Sequence, residues 1–268
     1  MIITSHSNEM IKAMRKLRDK KYRTLSQTAF IEGAKLVIDA LDLDAGIEKV
    51  IVSESFISSA KMDEVNKHLK EQVGEVIIVS DGVFASISGK ENPQGIGAVV
   101  KQCWHNLDEY KNNLSGVWVG LEEVADPGNL GTIIRTSDAA GAKGVMLIGN
   151  CVDPYDPGAI RASMGAIFAV DLIKAQKNEF IKWANDGKFR VIGTSDSAET
   201  HYRNCSYPSD MILLMGSERE GLSADIMKLC GENVRVPMRG ISDSLNLAVA
   251  TGIILFEIYN QIYKNTGI

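Results

Sequence analysis

The chain has 268 residues, 45% hydrophobic and 24% charged, with a formal net charge of −5. These ordinary globular values exclude wholesale disorder and a fibrous protein, and the charge excludes a uniformly basic nucleic-acid coat. Four cysteines, Cys103, Cys151, Cys205 and Cys230, form no CxxC pair, which speaks against a zinc ribbon and suits packing thiols in a reducing cytosol.

The opening MIITSHSNEMIKAMRK has no apolar stretch of signal-peptide type. The greasiest run, LAVATGIILF at 247–256, is half of the roughly 20 residues a bilayer span needs. A cytoplasmic protein is expected. Charge is uneven: residues 1–40 carry a net of +4 and the remainder −9. Residues 7–21 read as an amphipathic helix with Met10, Ile11, Met14 and Leu17 on one face. Lys12, Arg15, Lys16 and Lys20 project from the other, and the basic run continues through Lys21 and Arg23. Either this is a solvated face, or it is a phosphate-contacting patch that displaces counterions.

A helix (33–43), a strand (49–52), a helix (59–69) and strands at 75–79 and 95–102 follow. They make a small α/β domain over residues 1–102, and a polar linker is expected at 103–115. From residue 116 short apolar runs alternate with helices: 116–121, 144–149, 190–195, 211–216 and 234–238, with helices at 129–140, about 157–165, 178–186, 223–230 and 244–263. That alternation predicts a mostly parallel sheet covered on both faces, in a domain over 116–268. Ligands gather at the carboxyl ends of such strands, where this chain puts its glycines and polar residues.

Three loop clusters stand out. In Asp126-Pro-Gly-Asn-Leu-Gly-Thr-Ile-Ile-Arg135 the chain turns at Pro127-Gly128 and opens a helix, with Asn129 of good N-cap type. Spacing alone leaves Arg135 a surface arginine. In Leu214-Met-Gly-Ser-Glu-Arg-Glu-Gly-Leu-Ser223, Gly216 and Gly221 permit close backbone approach to a ligand. The carboxylates between them suit a cationic or hydroxyl-bearing ligand, not a phosphate, and no Walker A or GxGxxG motif occurs. In Val236-Pro-Met-Arg-Gly-Ile-Ser-Asp-Ser-Leu-Asn-Leu-Ala248 a long helix is expected to start near Asp243. Capping by Ser242 or Asp243 accounts for that start and leaves Asn246 unexplained.

Together, in this order, the clusters resemble the SpoU (TrmH-like) family of the SPOUT methyltransferases. The resemblance rests on Asn129-x-Gly131-x-x-x-Arg135, Gly216-Ser-Glu218 with Gly221-Leu222, Pro237-Met238 with Ser244-Leu245-Asn246, and Arg161-Ala-Ser163-Met-Gly165-Ala166. It implies a trefoil-knotted C-terminal domain, a homodimer, and a smaller N-terminal domain akin to ribosomal-protein RNA-binding folds. It also implies transfer of a methyl group from S-adenosylmethionine to an RNA ribose 2′-hydroxyl, without a metal. Gly216, Val236 and Leu245 would contact the cofactor, with Ile241 and Thr194 as further contacts. Arg135, Asn129, Glu218, Ser244 and Asn246 would carry the chemistry, Glu218 orienting Arg135 and Arg135 acting electrostatically, since a guanidinium does not serve as a base. Lys12, Arg15, Lys16, Lys20, Lys21, Arg23 and Arg161 would bind RNA. Ribosomal RNA of the large subunit is the expected target. Transfer RNA, or a non-catalytic ribosome-assembly role on the same fold, are the alternatives. The four histidines share no spacing, so no metal site is expected.

Overall fold

A computed structural model of the chain describes residues 2–69, 74–111 and 114–263. Parts of the expected N-terminal domain (1 and 70–73), of the linker (112–113) and of the C-terminal domain (264–268) lie outside the described residues. The chain divides into two compact units. One joins Met1–Cys103 to Tyr155–Phe168, and the other joins Trp104–Pro154 to Ala169–Ile268.

The first stretch runs β1 (Ile2–Ile3), α1 (Glu9–Lys16), α2 (Lys20–Ser26), β2 (Thr28–Glu32), α3 (Ala34–Asp42), β3 (Ile47–Ser53), α4 (Glu54–Ile57), α5 (Ala60–His68), β4 (Glu75–Val79), α6 (Asp81–Ser88) and β5 (Ile96–Lys101). The expected single helix over 7–21 is two. Asn8 caps α1, and Asp19 caps α2 by accepting from the Lys21 amide, 2.9 Å. An aspartate of strong N-cap propensity starts a new helix here. The five strands form a mixed sheet in the order β1-β4-β3-β5-β2. One face of α1 buries Ile11, Met14 and Leu17 against Ile51, Ile77 and Val83.

The rest runs β6 (Val117–Glu122), α7 (Pro127–Ala139), β7 (Gly144–Ile148), α8 (Pro157–Ser163), β8 (Asp171–Ala175), α9 (Lys177–Gly187), β9 (Val191–Thr194), β10 (Thr200–His201), β11 (Met211–Met215), α10 (Ala224–Met227), β12 (Glu232–Arg235) and α11 (Leu247–Tyr263). Of these, α8 belongs to the first unit. The others build a seven-stranded sheet in the order β10-β12-β9-β11-β6-β7-β8. Every pairing in it is parallel. This is the α/β fold with a large parallel sheet that the alternating pattern predicts. Trp118, Met146, Ile173 and Ile212 pack from the sheet against Phe180 and Trp183 of α9. The pattern misses β1, β2, β8 and β10, and it sets β12 two residues too late.

Candidate active site

Strand order fixes where a ligand can sit. From β6 the chain moves to β7 and β8 on one side, while β11 and β9 lie on the other. The sheet therefore has a switch point at the β6/β11 pair, with Leu121 opposite Met215. Crevices outside the carboxyl ends of strands open at such points. Glu122 ends β6, Gly216 follows β11, Thr194 ends β9 and Val236 follows β12. The Thr194 hydroxyl donates to the Leu214 carbonyl, 2.9 Å, tying the ends of β9 and β11.

A cleft of about 1150 Å³ opens there, lined by Thr194, Gly216, Glu218, Val236, Ser244 and Leu245 among others. Its wall is backbone brought close. A Cβ on Gly216 would stand 1.9 Å from the Gly221 carbonyl carbon and 2.1 Å from the Leu222 nitrogen. The intervening loop closes on itself: Ser217 N donates to Gly221 O, 3.2 Å, and Gly221 N to Ser217 O, 3.0 Å. Gly221 sits at φ +68°, in the left-handed region that favours glycine.

Side-chain amides join the three motif loops. Asp126 caps α7, its carboxylate accepting from the Asn129 amide at 2.6 Å. That leaves the Asn129 side chain free to bridge. Its Nδ2 donates to Glu218 Oε1, 2.7 Å, and its Oδ1 accepts from Asn246 Nδ2, 2.9 Å. Asn246 Oδ1 in turn accepts from the Ala248 and Val249 amides, 2.9 and 3.3 Å. The helix α11 therefore starts at Leu247 with Asn246 as its cap, not near Asp243 as the sequence suggests. An asparagine that caps and bridges at once explains a residue that ordinary helix propensity does not.

Other expected positions fall elsewhere. Ile241 is fully exposed and does not line the cleft. Ser244 is exposed on the cleft wall. The expected Glu218–Arg135 pairing is absent: Glu218 receives Asn129, and Arg135 is exposed, with no hydrogen bond or ion pair among the described residues. Of the basic residues, Lys16, Lys20 and Lys21 are exposed on α1 and α2. Lys12 pairs with Glu9, 2.7 Å, and Arg15 donates to the His6 carbonyl. Arg23 departs from the expected surface patch. It is 2% exposed, donates to the Leu17 and Arg18 carbonyls at 3.0 and 2.7 Å, and lies 3.7 Å from Asp156. It holds the turn between α1 and α2 together. Arg161 is exposed on α8, in the first unit and not with the rest of the second.

The sequence reading passed over Glu122. Its side chain is buried at the end of β6 and accepts from Ser223 N at 2.7 Å and Ser223 Oγ at 2.6 Å. Lys177 Nζ lies 2.8 Å away, and its hydrogen bond to Glu122 raises the ammonium pKa. Ser223 follows Gly221-Leu222 directly, so this carboxylate anchors the exit of the glycine loop. Next in the chain, Glu123 takes a left-handed φ of 53°, uncommon for a side-chain-bearing residue. The only sequence signal was a carboxylate closing an otherwise apolar strand.

Burial pushes the Cys230 thiol up to about 12 and raises Cys151 as well, so neither is a nucleophile near neutrality. Among the described residues no group of three or more His, Cys, Asp or Glu could hold a metal ion. No described helix is long and apolar enough to cross a membrane.

A parallel α/β sheet whose switch-point cleft is walled by glycine-bent loops, not by a phosphate-binding GxGxxG turn, defines an α/β protein with a small-ligand cleft at the carboxyl ends of its strands. Residues 116–256 match the model of the SpoU rRNA methylase family, and residues 8–98 match the MRM3-like substrate binding domain. The chain belongs to the SpoU rRNA methylase family. It is similar to the 23S rRNA (guanosine(2553)-2′-O)-methyltransferase RlmP of Bacillus subtilis, 28% identical over 96% of this chain and 98% of that one. Among solved structures it is similar to the AdoMet-bound rRNA methyltransferase of Sinorhizobium meliloti, with a TM-score of 0.87, 36% identity and 98% of both chains covered. It is also similar to the SpoU methyltransferase AviRb of Streptomyces viridochromogenes in complex with AdoMet, with a TM-score of 0.85, 25% identity, and 95% of this chain and 98% of that one covered.

Proposed function

We propose that this protein transfers a methyl group from S-adenosylmethionine to a ribose 2′-hydroxyl of large-subunit ribosomal RNA. The observation that carries the reading is the cleft at the ends of β9, β11 and β12, with all three motif loops joined on its rim through Asn129. The residues present fit the cofactor: Gly216 lets the returning Gly221–Leu222 backbone close the cleft wall, and Asp196, Glu218, Glu220 and Asp243 outnumber Arg219 and Arg235 in the lining, an anionic balance suited to a sulfonium nucleoside. Thr194, Gly216, Val236 and Leu245 would hold it, with Ile241 reaching it only after its loop folds inward.

When bound, S-adenosylmethionine would supply an activated methyl carbon for the ribose 2′-oxygen, and the hydroxyl proton would pass to solvent. The protein's share is alignment and electrostatics. Asn129 and Asn246 hold the loops in register, Glu218 and Ser244 offer hydrogen bonds to the ribose, and Arg135 stabilises the developing alkoxide or grips the adjacent phosphate. Residues 1–102 would hold the RNA, with the exposed Lys16, Lys20, Lys21 and Arg161 and the partly committed Lys12 and Arg15 on phosphates, while 116–268 perform the transfer and 103–115 join the two. The work is done in the cytoplasm.

Two finer features belong to the same reading. The second domain is knotted as a trefoil; β11, late in the chain, lies between β6 and β9, as such threading requires. The protein is a homodimer: α11 is apolar nearly all round, and Val249 and Phe256 stay 51% and 46% exposed on the face away from its buried residues. The test is transfer of labelled methyl from S-adenosylmethionine to ribosomal RNA and to transfer RNA, with the product mapped by resistance to alkaline cleavage. Methylation of ribosomal RNA at a ribose is expected. Label on a base, on transfer RNA alone, or on neither would overturn the assignment.

A further inference from the structure

The first unit carries a second hollow, remote in sequence from the motif loops, of about 490 Å³. That volume lies within the ~300–1,000 Å³ range of small-ligand clefts. It opens between α1, α2 and the neighbouring sheet strands. Met10, Met14 and Val99 form an apolar floor, and Tyr22 and Leu25 form a wall. Leu25 is 72% exposed, an apolar side chain with no packing reason to be there. Two ammonium groups lie over the Tyr22 ring as cation–π contacts, Lys16 Nζ at 5.2 Å and Lys21 Nζ at 5.9 Å from its centroid. Neither lysine has an ion pair among the described residues, nor has Lys20 beside them. The ring attracts both ammoniums, and since neither has an ion pair, both can swing from it to a phosphate at the rim. The rim also holds Glu9, which Lys12 pairs at 2.7 Å, Glu48, and Lys49, which pairs with Glu75 at 3.4 Å.

We propose that this hollow takes one unpaired nucleobase of the RNA, stacked on Tyr22, with its flanking phosphates on Lys16 and Lys21. An aromatic platform with an apolar floor and lysines at the mouth is the chemistry that holds single strands; a duplex offers no free base face to it. The site rests on the reading of the protein as an RNA methyltransferase and names what its substrate-binding unit recognises: an unstacked nucleotide in a loop or bulge.

The experiment uses the full chain and fluorescence anisotropy, with a fluorescein-labelled oligouridylate and an RNA duplex as probes. Stacking on one aromatic is worth about 1–3 kcal/mol per base, so Tyr22→Ala should weaken the single strand by roughly 5- to 150-fold. The duplex should be unchanged, and Tyr22→Phe should bind like the parent. The salt slope of Tyr22→Ala should be kept, whereas Lys16→Ala with Lys21→Ala should flatten it by about 0.7 per lost phosphate contact. Leu25→Asp, at an exposed position that the fold does not need, should weaken the single strand as well. Single-strand binding intact in both Tyr22→Ala and Leu25→Asp overturns the site, as does an equal loss on both probes. Methyl transfer to ribosomal RNA by the parent, measured alongside, separates the two failures. A parent that methylates while Tyr22→Ala binds normally loses only the nucleobase site. A parent that binds the single strand through Tyr22 and takes up no methyl loses only the enzymatic reading.

Discussion

Removing the charge of Glu122 tests whether the glycine loop is held from beneath. The carboxylate accepts two hydrogen bonds from Ser223, 2.7 and 2.6 Å, and an ammonium at 2.8 Å, with almost no water to replace them. Glu122→Gln keeps the shape and one acceptor oxygen. It loses the charge that strengthens all three contacts, each worth ~1.5–3 kcal/mol when charged against ~0.5–1.5 when neutral. Breaking one side of a buried ion pair costs about 3–5 kcal/mol. The Lys177 side chain is 34% exposed, however, so it rehydrates and recovers part of that loss. The balance is a destabilisation of about 2–3 kcal/mol. Because Ser223 closes the loop that begins at Gly216, weaker S-adenosylmethionine binding, by about tenfold, should accompany it. Urea melts and calorimetric titration with S-adenosylmethionine read the two effects, and Lys177→Met should reproduce the stability loss only in part. Lys177 titrates above its ordinary value of 10.5 in the fold, so its contribution is full below that pH and disappears as pH rises through the folded value. A Glu122→Gln protein with the parent's urea midpoint and cofactor affinity would refute the anchor.

Gly216→Ala drives a methyl group into backbone at 1.9 Å, where no side chain can yield, so cofactor binding should vanish in calorimetry and stability should fall by at least ~1–3 kcal/mol. Asn129→Asp would set a second carboxylate against Glu218, and two carboxylates in contact share a proton; methyl transfer should be lost at neutral pH and partly recovered in mildly acidic buffer, a recovery that Asn129→Ala should lack. Arg135→Ala should abolish transfer, with cofactor affinity held within about twofold, since the residue lies outside the cleft lining; Arg135→Lys tests whether charge without the planar fork suffices. At the foot of β8, burial raises the Asp171 pKa, but hydrogen bonds from Lys143 and Tyr110 together outweigh it and hold the group below its ordinary value. That contribution is present above about pH 4 and fades as pH falls through the folded pKa, so Tyr110→Phe should shallow the acid limb of the stability–pH curve.

The parallel sheet was legible because buried parallel strands read as unbroken apolar runs, as in 211–215 and 144–148. The strand at 171–175, DLIKA, was not, because an edge strand carries charged residues that blur the run. The motif glycines were legible from the turns they allow. Glu122 was not, since its burial depends on Ser223 and Lys177, 101 and 55 residues further along. Arg23 shows the converse: in sequence it extends a basic run, while in the fold its length lets it reach back to the carbonyls that the break between α1 and α2 leaves unpaired. Long-range partners, not local composition, decide whether such a charge serves solvent, substrate or structure.

The direction of the amide chain bears on the chemistry. Asn246 must present its oxygen to the first amides of α11, so its nitrogen faces Asn129, and Asn129 must then present its own nitrogen to Glu218. Each orientation follows from the one before, beginning at a helix end whose amides carry partial positive charge. The chain therefore delivers one amide donor to one oxygen of Glu218, and amides pass no proton onward. On the proposed reaction Glu218 holds the loops and keeps one free oxygen for the ribose. Arg135, outside that chain and with no carboxylate partner among the described residues, is left available on the proposed reaction to the oxygen or phosphate of the incoming RNA. Had Glu218 paired with Arg135, much of the guanidinium charge would have been neutralised before the substrate arrived.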